Sequence, residues 1–151
     1  MPTSSGRPLR LVLDTNVVVA GLLWSGPPRR LLEAVIEGEA ELFTSAALLD
    51  ELAHTLSYSK LSARIARSGT DVATLVAQYM TLTTLVAPAG VPRVVAGDAD
   101  DDHVIAAAVA AAAELIVTGD RRHLLAIGSH EGIAIVTARE VVDRIEAGRK
   151  A

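Results

Sequence analysis

Acidic residues recur in this chain at places where a fold can gather them. Asp14 follows the aliphatic run 9–13 (LRLVL), and Asp120 follows 115–118 (LIVT) after one glycine. The neighbours Asp50 and Glu51 lie in a leucine-rich segment, and Asp98, Asp100, Asp101 and Asp102 cluster ahead of an alanine-rich one. Converging carboxylates repel one another, which raises their pKa values or requires a counter-cation. Hard oxygen donors suit Mg2+ or Mn2+, ions that keep several waters and take few protein ligands. Such an ion activates water and neutralises charge on a phosphodiester, and two ions about 4 Å apart would do both from opposite sides.

The elements that must position these acids follow from apolar patterning. Runs 9–13, 41–44, 115–118 and 133–136 read as short buried strands, with a further candidate at 85–87. Between them lie helical segments. Asn16 is a good N-cap for a short helix over 17–23, and Pro28 suits the first turn of a helix carrying Leu31, Leu32, Val35 and Ile36. Ser45 can cap a helix from 46 to about 56, with Leu48, Leu49 and Leu52 on one face. A short helix over 61–67 follows, then one opened by Thr70 or Asp71, the alanine-rich helix after Asp102, a helical turn at 124–127 and a last helix over 138–147. Pro88, Gly90 and Pro92 mark a loop, and 97–102 another. Strands alternating with helices predict an α/β fold: a three-layer α/β/α sandwich around a central parallel sheet of four to five strands.

In such sheets ligands bind beyond the carboxyl ends of the strands. Asp14 and Asp120 both fall there. The helix opened by Asp102 feeds the fourth strand, and Glu51 lies about two turns into a helix that starts at the same edge. Glu51 borders the face defined by Leu48, Leu49 and Leu52, which a plain surface acid need not do.

A chain of 151 residues forms one domain, 1–151, with 1–8 as a flexible N-terminal extension, and buries a core without disulfides. Half the residues are apolar and 3% aromatic, so the core is aliphatic. The absence of cysteine excludes a thiolate zinc site and a cysteine nucleophile, and fits a reducing cytoplasm. No run has the length of a signal peptide core or a membrane helix. The net charge of −4 is unusual for a protein that holds nucleic acid by bulk attraction. If nucleic acid is the substrate, local basic patches or metal ions must offset the phosphates.

The stretches LVLDTN (11–16), ALLDEL (47–52), DDHVIAAA (101–108) and IVTGD (116–120) together resemble the four acidic motifs of PIN-domain ribonucleases, in order and in spacing. The longer LDTNVVVAGLLWSGPPRRLL (13–32) resembles the branch of VapC-like toxin components of toxin–antitoxin systems. The resemblance implies that Asp14, Glu51, Asp102 and Asp120 hold one or two Mg2+ or Mn2+ ions, with Asn16 and Thr118 as supporting polar positions. It implies hydrolysis of RNA by a metal-activated water, a small antitoxin that blocks the cleft, and a homodimer.

Plainer readings stand beside these. Asp14 can cap a helix, Asp120 can be a turn residue after glycine, and a run of acids before a helix usually caps it and offsets its dipole. Asp98 or Asp101 are rivals of Asp102 as direct ligands. His54, one helical turn beyond Glu51, can reach the cleft but is most simply a solvated surface histidine. Arg121 and Arg122 follow a proposed ligand and can contact phosphate. Trp24 suits packing against the proline-rich turn or a dimer contact better than stacking on a base. A phosphatase using Asp14 as nucleophile would want a second Asp two residues on, where Asn16 stands, and a receiver domain would want an acidic pair and a lysine that are absent. A non-catalytic RNA- or protein-binding scaffold is the remaining alternative.

Overall fold

The computed structural model describes residues 7–89, 99–120 and 124–150. Its elements are β1 (Leu9–Leu13), α1 (Thr15–Leu23), α2 (Pro27–Ile36), β2 (Ala40–Thr44), α3 (Ala46–Leu56), α4 (Ser59–Arg67), α5 (Val72–Thr81), β3 (Thr83–Leu85), α6 (Ala99–Ala111), β4 (Leu115–Val117), α7 (Leu124–Ile127), β5 (Ser129–His130), β6 (Ile133–Val136) and α8 (Ala138–Lys150). The strands form one sheet in the order β3-β2-β1-β4-β6-β5, parallel throughout except for β5.

Alternate strand residues feed two separate cores, as the period-two geometry of a strand requires. Leu11, Leu13, Leu42, Leu115 and Val117 face a layer that includes α1, α2, α4, α5 and α8. Val12, Phe43, Ile116 and Ile135 face α6 and α7. The central strands are therefore apolar on both sides, and the three-layer sandwich follows. Val104, Ile105, Ala107 and Ala108 are completely buried, and with them α6 lies across β1, β2 and β4. On the other face, Gly21 lets α2 approach α1: a Cβ there would sit 3.0 Å from the Pro28 carbonyl oxygen.

Several boundaries differ from the sequence expectation. The sheet has six strands rather than four or five, because Glu131 (φ 50) and Gly132 (φ 82) both take positive φ and turn the chain back as a tight hairpin. That turn adds the two-residue antiparallel strand β5 at an edge. The third strand occupies 83–85, not 85–87: Thr83 pairs with Leu42 and Leu85 with Thr44, so β2 sets the register. Asp71, not Thr70, caps α5 by accepting a 2.8 Å hydrogen bond from the Thr74 N–H, which holds its carboxyl below the usual range. Of the expected flexible extension 1–8, residues 1–6 lie outside the described residues, as does the loop around Gly90 and Pro92. Among the described residues no helix is long and apolar enough to cross a membrane.

Candidate active site

β1 has β2 on one side and β4 on the other, so the strand order reverses beside it and a crevice opens at the carboxyl ends of β1 and β4. Asp14 stands there. Its backbone N–H donates to the Val117 carbonyl at 2.9 Å, tying the ends of β1 and β4 together. The chain passes from strand to helix with no intervening loop, and Asp14 is the N-cap of α1: its carbonyl accepts from the N–H groups of Val17 (3.0 Å) and Val18 (3.2 Å). The expectation that Asn16 caps this helix is thus corrected, since Asn16 falls within the first turn and is exposed. The Asp14 side chain makes no capping hydrogen bond, so the carboxylate is directed to the crevice instead of being spent on the helix. Asp14 is only 6% exposed, and the positive end of the α1 dipole favours its charge.

Thr118 fixes the geometry between the two strand-end acids. Its hydroxyl donates to Asp14 Oδ2 at 2.8 Å and accepts from the Asp120 N–H at 3.0 Å. One buried hydroxyl therefore sets both the rotamer of Asp14 and the course of the chain at Gly119-Asp120. Thr118→Val keeps the shape and removes both bonds. Stripping a buried charged acceptor and an N–H of one partner costs about 1–3 kcal/mol. Urea unfolding should show that loss, with Thr118→Ser close to the parent; an unchanged midpoint for Thr118→Val would remove this role.

Glu51 reaches the same place from α3. Ser45 caps that helix by accepting from the Leu48 N–H at 3.3 Å, and Leu48, Leu52 and Leu56 bury its inner face. This phase leaves Asp50 exposed and Glu51 half-buried at the margin. The first turns of α6 bring Asp101 and Asp102, which are 5% and 1% exposed.

A cleft of about 500 Å³ joins these segments. Asp14, Glu51, Asp101 and Asp120 contribute to its wall, together with Asn16 and Thr15 at the start of α1. Asp102 does not take part in that wall, although it is the neighbour of Asp101. Thr118 lies behind the wall and acts through Asp14. Along α3 the lining continues through His54 and Thr55, and past the helix end to Tyr58 in the turn before α4. Trp24 is not in this wall; the Arg64 guanidinium lies 4.5 Å over its ring. Arg121, Arg122 and Asp98 lie outside the described residues.

Carboxylates from four separate elements on one cleft form a donor set suited to a hard divalent cation. Among the described residues, no group of three or more His, Asp or Glu side chains is close enough to hold one ion in this conformation. The donor types fit such an ion.

A family model for the PIN domain matches residues 10–122, which takes in β1, α3, α6 and β4 and with them each of the acids on the cleft. No curated protein matches the chain.

Proposed function

Because this chain belongs to the PIN-domain family, whose domains are nucleases as a class, we propose that it is a metal-dependent endoribonuclease. The observation that carries the reading is the wall shared by Asp14, Glu51, Asp101 and Asp120 at the carboxyl ends of β1 and β4.

In this reading Asp14, Glu51 and Asp120 hold Mg2+ or Mn2+, and the fourth donor comes from the pair Asp101 and Asp102. The motif resemblance selects Asp102; the position of Asp101 in the wall favours Asp101. When bound, the ion supplies an activated water and neutralises charge on the scissile phosphate. Thr118 keeps Asp14 in the orientation that presents a carboxylate oxygen to the cleft. Asn16, exposed at the rim, offers an amide donor to a substrate oxygen, and Arg121 and Arg122 supply positive charge for the phosphates. With a net charge of −4, the protein has little bulk attraction for RNA, so the cation helps to bind substrate as well as to cleave it.

The resemblance of 13–32 to VapC-like proteins extends the reading to the toxin of a type II toxin–antitoxin pair, acting as a cytoplasmic homodimer and restrained by an antitoxin that covers the cleft. A short upstream gene encoding a DNA-binding N-terminus and a disordered tail would support that extension. The rival reading is a non-catalytic RNA- or protein-binding scaffold, since among the described residues no group of three or more acids or histidines is placed to hold an ion.

Cleavage assays separate the two. The purified protein is expected to cut within structured RNAs in Mg2+ or Mn2+, to stop on chelation by EDTA and to resume when Mn2+ is restored. No cuts across an RNA panel in either metal, with no saturable Mn2+ binding by calorimetry, would leave the scaffold.

A further inference from the structure

Two long stretches of this chain carry bases and no acid. Residues 15–32 hold Arg29 and Arg30, and residues 52–70 hold Lys60, Arg64 and Arg67, in a protein whose net charge is −4. The fold sets the two side by side. Arg64 Nε donates to the Leu23 carbonyl at 2.9 Å, and its guanidinium lies 4.5 Å from the centre of the Trp24 ring. Arg29 closes on the same corner: its Nε donates to the Trp24 carbonyl at 3.2 Å and its Nη2 to the Leu22 carbonyl at 3.0 Å.

These bonds cap the carboxyl end of α1, and in each guanidinium they leave Nη1 uncommitted among the described residues. Lys60 and Arg67 are exposed and cap nothing. With the spacing i, i+4, i+7, Lys60, Arg64 and Arg67 share one face of α4, while Leu61 and Ile65 bury another. Among the described residues no carboxylate lies within 4 Å of Arg29, Lys60, Arg64 or Arg67, whereas Arg10, Arg30 and Arg149 are each paired with glutamate. A basic stripe on one face of an acidic protein is the electrostatic footprint of a polyanion. The stripe also joins the cleft. The Lys60 ammonium lies 5.9 Å from the ring of Tyr58, which stands in the cleft wall. From there the stripe runs to the far end of α1, a helix of nine residues that begins beside Asp14 and spans about 13 Å.

We propose that Lys60, Arg64, Arg67 and Arg29 form a phosphate-binding track that carries an RNA strand away from the cleft on the α4 side, so that the substrate is an RNA extending several nucleotides beyond the scissile bond rather than a short oligonucleotide. The inference rests on the ribonuclease reading and adds to it a surface that the acids do not touch. Arg29 and Arg64 are already held by backbone carbonyls, so they lose little freedom on meeting a phosphate, and the guanidinium fork suits phosphate oxygens. Phosphate contacts carry no sequence information, so the track sets the position of the strand and leaves the choice of bond to the cleft.

The test is the fluorescence anisotropy of an end-labelled RNA across a range of KCl concentrations, in EDTA so that the RNA is bound but not cut. Lys60→Gln and Arg67→Gln are expected each to reduce the slope of log Kd against log salt by about 0.7–0.9, the share of one phosphate contact, and to weaken binding about four- to sixfold at about 0.15 M salt. In Mn2+ the double variant should raise KM on a long RNA by the product of the two factors, with kcat little changed. That penalty should fall away on RNAs trimmed close to the cut on one flank and persist on RNAs trimmed on the other. An unchanged Kd and salt slope in the double variant, or a KM penalty that survives trimming on either flank, overturns the track. Parent-level RNA affinity together with lost binding of polyglutamate gives the surface to an acidic protein instead. RNA binding that depends on Lys60 and Arg67 without cutting in either metal sinks the ribonuclease reading and keeps the track for the scaffold. Cutting with a KM indifferent to both substitutions sinks the track alone.

Discussion

Asp14→Asn is expected to lower RNA cleavage by more than about a hundredfold while the protein stays folded. Groups that merely orient a metal ligand are worth about 10–100-fold when removed, so a direct donor should exceed the upper end of that range. The substitution keeps the side-chain shape and an oxygen that can accept from the Thr118 hydroxyl, now at 2.8 Å from Asp14 Oδ2. The backbone bonds of residue 14 to Val17, Val18 and Val117 do not involve the side chain. What changes is charge. One negative group fewer on a wall shared with Glu51, Asp101 and Asp120 weakens cation binding and also relieves repulsion among the acids that remain. The melting temperature without metal should therefore equal or exceed that of the parent, while Mn2+ should stabilise the variant less. Parent-level cleavage by Asp14→Asn in Mn2+ would refute Asp14 as a metal donor. A collapse in melting temperature would instead show that its charge is needed for the fold.

How much of this was legible beforehand depended on whether a residue's surroundings left a periodic trace. The central strands did: 9–13 and 115–117 are aliphatic on both faces because each face is covered by helices. Asp14 and Asp120 could be placed at one edge from strand ends alone. β3 left no such trace. It is a partly exposed edge strand of sequence TTL, paired on one side by β2, and its threonines look like a loop. β5 is two residues long and exists because the 131–132 turn folds it against β6, a tertiary outcome with little local signal. Asn16 does not cap α1 because the chain enters the helix straight from β1 through Asp14, whereas cap preferences assume that a loop precedes the helix.

The same reasoning separates Glu51 from the acids of α6. On α3 the leucines fix the helical phase, and the phase puts Glu51 on the margin and Asp50 in solvent. On α6 the run after His103 is nearly all alanine and other apolar residues, so the helix has no polar stripe to reveal its rotation. Successive helical residues point about 100° apart, and an unknown phase makes neighbouring acids interchangeable. The packing of Val104, Ile105, Ala107, Ala108 and Ala111 against the sheet sets that rotation.

That packing brings a consequence for the fourth metal donor. With α6 seated on β1, β2 and β4, Asp101 forms part of the cleft wall, and Asp102, at 1% exposure, does not. Asp101→Asn is therefore expected to weaken Mn2+ binding and cleavage on the scale of Asp14→Asn, by more than about a hundredfold in rate. Asp102→Asn should act mainly through the interior. An amide there carries no charge for the positive end of the α6 dipole to favour, and it brings N–H donors to a site shaped around a carboxylate. The expected result is a lower urea midpoint, with a loss of rate no greater than about tenfold, the lower end of what removing a supporting group costs. Calorimetric titration with Mn2+, run beside kcat for both variants, distinguishes the two. The reverse ordering, with Mn2+ affinity lost in Asp102→Asn and kept in Asp101→Asn, would mean that the first turn of α6 rotates when the cation binds. The acid chosen by the motif would then be the ligand, reached by a movement of α6.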